Sequence, residues 1–346
     1  MNSWDRPRAA ARPVAGTPSF WLLAVLSFAL SDHLRAQNPG AVQHLQTVRQ
    51  QQELGTALQD SAGRLVAPPQ LYPAEESDVG PQSIIRLKPR RTYVELLGDS
   101  QYFYNDNMFL QENLPGSPTV ATGELVNSVQ LALTPGPYEV AGGKLSTRAG
   151  YRQQWFNFGL EQGAGTLSGF DFTAGAALVE ARWYWKEKWI LDAGFEWVRL
   201  LSTTDYREFY RDYTPRIGLT RVWPVSDSAA FVTAGQTAFR FTRTAPLPTR
   251  DVNDRLENTV LVSFNQLFLK RFLAQPYYRI QYSHYTRNHD RDDLLHSVGV
   301  AATWFLHPQV SLRAFVGYDL KESDDPIVPD YRSLNAGAGL GLAFRF

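Results

Sequence analysis

The sequence predicts an all-β fold, a transmembrane antiparallel β-barrel of about 12 strands that follows a short N-terminal extension. Two patterns predict it. Side chains alternate between apolar and polar in twelve segments of residues 92–346, and the connections between these segments alternate between short and long. The mean hydropathy of −0.30 is too polar for a bundle of membrane helices. It suits a barrel, because each strand averages lipid-facing with lumen-facing side chains.

The charge balance and the absence of cysteine exclude several functional classes. The chain of 346 residues has 34 basic and 34 acidic side chains and no cysteine. A nucleic-acid-binding protein normally carries a basic excess, so no nucleic acid is expected as a partner. Without cysteine there is no disulfide, no thiolate metal site and no cysteine nucleophile. The sequence assigns no cofactor.

Residues 1–36 have the organisation of a secretory signal peptide. Arg6, Arg8 and Arg12 precede an apolar run at 20–30, and the small residue Ala36 ends a plausible cleavage site. The run is shorter than the roughly 20 residues that a membrane-spanning helix needs. A buried helix of a cytosolic protein is the alternative, but the positive start and the small-residue exit favour export.

Residues 37–91 differ from the rest of the chain and are predicted to form a periplasmic extension. Apolar residues at roughly helical spacing in its Gln-rich part predict one short helix, and five prolines between 67 and 89 predict an extended linker. This extension is a candidate binding site for a periplasmic partner. The mixed basic run from Arg86 to Arg91 is expected at the periplasmic rim, and a plain solvated linker is the alternative for that run.

The twelve alternating segments are the predicted strands. They lie near 92–104, 124–134, 143–158, 171–185, 188–202, 213–223, 228–243, 256–269, 272–287, 293–306, 308–321 and 331–346. Five connections are short, at 135–137, 186–187, 225–227, 271 and 307–308. Longer polar stretches alternate with them, near 105–123, 159–170, 203–212, 244–255, 288–292 and 322–330. Short turns at one end and long loops at the other are typical of an outer-membrane barrel with both chain ends in the periplasm.

The alternation also assigns a lipid-facing and a lumen-facing side to each strand, because successive side chains point to opposite faces. In the last strand the even positions from Leu334 to Phe346 are leucine, alanine or phenylalanine, whereas the odd positions are small or polar. Aromatic residues collect at both strand ends, with Trp304 near a short turn and Tyr282 and Tyr285 near a long loop. This distribution predicts two aromatic girdles at the membrane interfaces.

The lumen-facing positions carry many charges. The inward set has nine basic and six acidic residues: Glu95, Asp99, Lys144, Arg148, Arg152, Glu180, Arg182, Asp192, Glu196, Arg216, Arg240, Arg279, Arg313, Asp319 and Arg345. One interpretation is a narrow, mildly anion-preferring pore, since rings of arginine favour anionic solutes. The other is that these charges neutralise each other and close the lumen, because twelve strands enclose a channel only modestly wider than the eight-strand barrels that side chains fill. The sequence leaves both open.

A few polar residues interrupt the predicted lipid face. They are Arg199, Arg221, Gln266 and His284. Arg199 and Arg221 lie near strand ends, where a long side chain reaches the membrane interface. A β-bulge that resets the alternation is an equal alternative.

No catalytic residue is assigned, and the protein is predicted not to be an enzyme. Ser283 and His284 are adjacent, so they point to opposite faces of their strand. The sequence has no Gly-rich phosphate loop, zinc-protease motif or nucleophile elbow. His284 and His296 would face each other across two strands and would hold a metal with Asp292 or Asp293. Histidines at an aromatic rim are more often interface residues, so no metal is assigned.

Two stretches resemble known families. The last strand, Gly339 to Phe346 with Phe344 and the terminal Phe346, resembles the C-terminal signature of Gram-negative outer-membrane proteins. That resemblance implies outer-membrane lipid around the barrel and insertion by the barrel assembly machinery. The segments 102–109 and 124–136 resemble the opening strands of β-barrel porins, some of which are associated with exopolysaccharide loci; this implies no catalytic residues.

Together these patterns favour a passive, porin-like channel for small polar or anionic solutes, sugars among them. A closed structural or assembly barrel, whose segment 37–91 binds a periplasmic partner, is the first alternative. A lipid-modifying outer-membrane enzyme is the second.

Overall fold

The computed structural model describes residues 93–112, 119–159, 167–186, 188–244, 253–287 and 291–346. The predicted signal peptide and the extension at 37–91 lie outside the described residues. No helix in the described ranges is both long enough and apolar enough to cross a membrane.

Thirteen strands and one short 3-10 turn, Ser168–Phe170, make up the described structure. The strands are β1 (Val94–Asn105), β2 (Thr122–Leu133), β3 (Tyr138–Val140), β4 (Gly143–Phe158), β5 (Phe172–Trp185), β6 (Trp189–Ser202), β7 (Glu208–Ser226), β8 (Ala229–Thr244), β9 (Arg255–Phe268), β10 (Phe272–Tyr285), β11 (Asp292–His307), β12 (Val310–Ser323) and β13 (Tyr331–Arg345). The short β3 pairs only with β4, and each of the other twelve strands pairs with its two neighbours in the barrel, so that β1 pairs with both β2 and β13. The predicted 12-stranded antiparallel barrel is confirmed.

The barrel closes along the seam between its first and last strands. Pairing runs from Glu95 opposite Arg345 to Asn105 opposite Asn335. Hydrocarbon offers no hydrogen-bond partner to an open sheet edge, so closure is the condition for a sheet to span a membrane. The closed seam satisfies this condition.

Two elements differ from the predicted strands. The segment at 135–137, expected to be a tight turn, leads into β3, which pairs with the start of β4 from Tyr138–Leu145 to Val140–Gly143. In addition, β7 begins at Glu208 rather than near 213. Its first residues look like a polar loop in the sequence. However, residues 210–212 pair with β6 in the regular register, and Glu208 pairs with Leu201 beyond a bulge.

The outer surface of the wall is apolar. Val179, Ile217 and Val298, on three different strands, are 59%, 55% and 54% exposed. Water would penalise such a surface, whereas acyl chains would not. Exposed aromatic residues mark the short-turn rim, among them Trp304. Tyr285, expected in the girdle near the long loops, is buried on the inward face instead.

Candidate functional site: the charged lumen

Ion pairs between strands that are not adjacent identify the inner face of the wall. Arg152 on β4 reaches Glu196 on β6 at 2.8 Å, and Arg216 on β7 reaches Glu180 on β5 at 3.4 Å. Within each strand, these paired residues occupy the alternate positions whose side chains point away from the exposed apolar side chains. The fifteen predicted inward residues all occupy such positions.

Ten of these fifteen form one group between the short-turn end and the middle of the barrel, called here the lumen charge cluster. Its members are Glu95, Asp99, Arg148, Arg152, Glu180, Arg182, Glu196, Arg216, Arg313 and Arg345. Six arginines therefore meet four carboxylates. Because the arginines outnumber their partners, the cluster carries a net positive charge.

Two glutamates of the cluster each join two arginines. Glu95 is 3.2 Å from Arg148 and 3.1 Å from Arg345. Glu180 is 3.3 Å from Arg182 and 3.4 Å from Arg216. In addition, Arg313 contacts Asp99. Each glutamate would keep one partner if the other arginine were replaced.

A cavity of about 110 Å³ lies inside this end of the barrel. Its lining includes Asp99, Arg148, Arg216 and Arg313 from the cluster, together with the short turn at 307–309. Strands from opposite sides of the barrel contribute to the lining, so the cavity is part of the lumen. It has room for several water molecules or a small solute.

Several hydrogen-bond donors on this wall are not used by the protein. Arg148 Nε, Arg313 Nε and Gln130 Nε2 are buried without a hydrogen-bond partner among the described residues, and all three side chains line the cavity. A buried donor without a partner is costly. Water or an anionic solute in the cavity would satisfy these groups.

Four of the other five predicted residues lie outside the cluster, whereas Asp192 borders it, opposite Arg182 in the pairing of β5 with β6. Arg240 binds Glu257 at 2.7 Å and Asp212 at 3.2 Å in the long-loop half. Nearer the middle, Arg279 donates to Ser297 and Asp319 accepts from Asn335. Asp192 lies against Gly218 of β7, where a Cβ atom would come 2.5 Å from its Oδ1. Lys144 is exposed at the short-turn end, opposite Glu139.

Sequence reasoning missed part of the charged wall. Arg255 and Glu257 are buried and bind each other at 2.7 Å. Both have the inward alternation of β9, so the same rule would have found Glu257. Asp212 was missed because its strand was expected to begin at 213.

A group of apolar side chains inside the barrel was also not predicted from the sequence. It is called here the inner aromatic cluster and comprises Phe103, Met108, Val126, Phe156, Phe158, Leu167, Phe172, Ala174, Ala176, Val198, Leu200 and Tyr210. The rings of Phe156 and Phe172 stack with their centroids 4.3 Å apart and their planes at 11°. Ten of these side chains occupy the long-loop half of β1, β2 and β4–β7, on the inward face, and Met108 and Leu167 lie in the loops.

The two histidines proposed as a pair do not face each other. His284 is opposite Asp292 and bonds it at 2.8 Å, whereas His296 is opposite Ile280 and bonds Tyr278 at 2.7 Å. The described ranges contain no group of three acidic or histidine side chains arranged to hold a metal ion.

The position of Arg221 on the lipid face is explained without a change of alternation. The guanidinium of Arg221 lies 3.5 Å from the ring centroid of Trp223 and 4.6 Å from that of Trp189. The bulge in this part of β7 comes after Arg221, between Pro224 and Ser226. Arg221 therefore lies in the aromatic rim, where a cation over an indole face is stabilised.

Comparison with known proteins identifies the fold but no family. No family model and no curated protein matches the chain. Solved structures do. An outer membrane channel from Pseudomonas putida F1 aligns with a TM-score of 0.51 and 10% identity, over 73% of this chain and 96% of that one.

Two other solved barrels align over similar lengths. The KdgM porin, solved in complex with disordered oligogalacturonate, has a TM-score of 0.39 at 12% identity, over 72% of this chain and 99% of its own. The β domain of the Bordetella autotransporter BrkA has a TM-score of 0.43 at 12% identity, over 73% of this chain and 100% of its own. The fold is that of an outer-membrane β-barrel. At such identities only the fold carries over.

Proposed function

We propose that the protein is a porin-like channel of the outer membrane that passes small polar or anionic solutes, sugars among them. The observation that carries the proposal is the lumen charge cluster, in which arginines exceed carboxylates around a cavity inside a closed barrel. Arginine-lined pores favour anions, and the guanidinium fork binds carboxylates in pairs of hydrogen bonds.

The outer surface supports an outer-membrane location for this channel. Its apolar belt suits hydrocarbon, where a charged side chain at mid-depth would cost about 2–4 kcal/mol. The charges lie inside instead. We propose that the short turns and both chain ends face the periplasm, and that the last strand, ending in Phe344 and Phe346, directs insertion by the barrel assembly machinery.

Planar-bilayer recording of the refolded barrel tests the proposal. We expect single-channel events whose reversal potential in a salt gradient shows preference for anions. The double variant Arg148→Gln/Arg216→Gln should shift that potential towards cations, because two positive charges leave the cavity. Glu95 keeps Arg345 and Glu180 keeps Arg182, so neither carboxylate loses all its partners.

Arg243→Gln is the matched control, since this exposed arginine has the outward alternation of β8. It should leave the reversal potential unchanged. Folded protein that inserts and never conducts would refute the channel, and an unchanged potential in the double variant would refute the role of the cluster.

A closed barrel that binds a periplasmic partner through residues 37–91 is the second candidate. The burial of the described inward side chains in the long-loop half favours it, because a wide pore would expose them. Deleting residues 37–91 should then abolish co-purification of the partner while the barrel still inserts. Retained co-purification would exclude this candidate.

A further inference from the structure

The inner aromatic cluster spans several strands at one level of the barrel. Phe172 on β5 stacks on Phe156 of β4 and lies 6.0 Å from Phe158, measured between ring centroids. Val198 and Leu200 continue the apolar surface onto β6. Phe156, Val198 and Leu200 have no solvent-exposed surface. No water therefore contacts this part of the inner wall.

The cluster is also covered from two other directions. Across the seam, Phe103 of β1 contacts Phe315 of β12, with ring centroids 5.3 Å apart. From the long-loop end, Met108 and Leu167 are buried in the cluster. The apolar contacts of the cluster therefore extend from β4–β6 to the strands at the seam and to the loops.

The neighbouring wall at this level, formed by β7–β9, is closed by charges instead. Asp212, Arg240, Arg255 and Glu257 bind one another in the long-loop half of β7–β9. Tyr210 joins the two regions, since it belongs to the aromatic cluster and its hydroxyl donates to Asp212 at 3.2 Å. The cavity thus provides solvent space towards the short-turn end. In the long-loop half, by contrast, the inward residues are buried.

We infer that the inner aromatic cluster is the constriction of the channel, so that solute passage is limited there and not at the lumen charge cluster. This inference rests on the proposed function. A hydrophobic constriction closes a pore by excluding water. The phenylalanine side chains of the cluster rotate out of such a place without leaving a polar group unpaired. The ion pairs of the neighbouring wall separate only by leaving charges buried.

Conductance tests the constriction directly. The double variant Phe156→Ala/Phe172→Ala should raise single-channel conductance several-fold over the wild type, because it removes the stacked rings. The control Phe231→Ala/Phe241→Ala removes two aromatic rings that are exposed on the outer face. It should leave conductance unchanged. Heat-modifiable migration on a denaturing gel verifies that each variant is a folded barrel.

Cysteine accessibility provides a second measurement that keeps the aromatic rings in place. The chain contains no cysteine, so a single introduced thiol is the only reactive one. Ser311→Cys lies on the cavity, whereas Ala176→Cys lies in the cluster. In the folded barrel, a small charged methanethiosulfonate reagent should modify Ser311→Cys many times faster. Adding Phe156→Ala to Ala176→Cys should remove most of that difference.

The outcomes separate the two proposals. If the wild type conducts and the double alanine variant conducts equally, the constriction lies elsewhere and only this inference falls. Equal reaction rates of the two single thiols in the wild-type background would overturn it as well, whatever the conductance. If no folded variant conducts at all, the channel function itself is refuted, and this inference falls with it.

Discussion

The two walls of the long-loop half bury their inward side chains by different means. On β4–β6 the wall is apolar, with Phe156, Phe172 and Leu200 in mutual contact. On β7–β9 it is charged, with Arg240 between Asp212 and Glu257. Dispersion contacts have little directional demand, whereas buried charges need every partner in place. The same alternation of residues therefore produces two walls that should respond differently to substitution.

The charged wall should be the more sensitive. Glu257→Ala leaves Arg255 without its carboxylate partner and Arg240 with Asp212 alone, all in a buried setting. We expect the free energy of unfolding to fall by about 3–5 kcal/mol, the usual effect of breaking a buried ion pair. Urea unfolding of the barrel in lipid vesicles measures this. Glu139→Ala, in the exposed hairpin, should change nothing measurable; a similar loss there would contradict the argument.

The apolar wall should tolerate truncation better. Leu200→Ala removes a fully buried side chain, and we expect a loss of about 2–3 kcal/mol, in the lower part of the range for such cavities. Neighbouring side chains that carry no charge have freedom to move into the space. The control is Leu340→Ala, on the exposed outer face, where lipid fills the space. A loss at Leu200 larger than that at Glu257 would reverse the comparison.

Arg221 is a third kind of site for comparison, because its cationic side chain lies on the outer face of the barrel against aromatic rings. Arg221→Ala should cost about 0.5–2 kcal/mol, the range for a cation over an aromatic face. Arg221→Lys should recover part of this, because the ammonium retains the charge but not the planar stacking. The same unfolding measurement applies. Equal stability of all three proteins would show that the contacts with Trp189 and Trp223 contribute nothing.

The smallest effect is expected at Asp171, which lies outside the strands beside the apolar wall. Burial raises the pKa of the Asp171 carboxyl above its ordinary value of 3.8, against the opposing effect of the hydrogen bond donated by the Phe158 backbone. The folded state thus holds the proton more tightly than the unfolded chain. Its contribution to stability is complete below pH 3.8 and is lost as the pH rises through the folded-state pKa.

Asp171→Asn keeps an oxygen for the Phe158 backbone and removes the titration. The variant should match the wild type in acid and be slightly more stable at neutral pH. Unfolding free energies measured across that pH range test this. Parallel pH profiles for the two proteins would show that Asp171 does not titrate as expected.

Alternation predicted the strands and their faces, but it did not predict which side chains meet inside. The alternation that selects the fifteen residues has a period of two, which is a local property of the chain. Whether Arg152 meets Glu196 depends on how far each strand is shifted against the next, and that shift is a property of the closed barrel. The inner aromatic cluster was missed for a similar reason. Around Trp155 and Phe156 both faces are apolar, so the pattern does not separate lipid contact from internal packing.

The seam between β1 and β13 has a consequence for how the protein is made. Since the first and last strands of the barrel are hydrogen-bond partners, the cylinder is incomplete until the final strand has paired. A chain cut short before Tyr331 would leave two bare backbone edges, on β1 and β12. Such a fragment should not form a stable barrel, which makes assembly of this protein an all-or-nothing event.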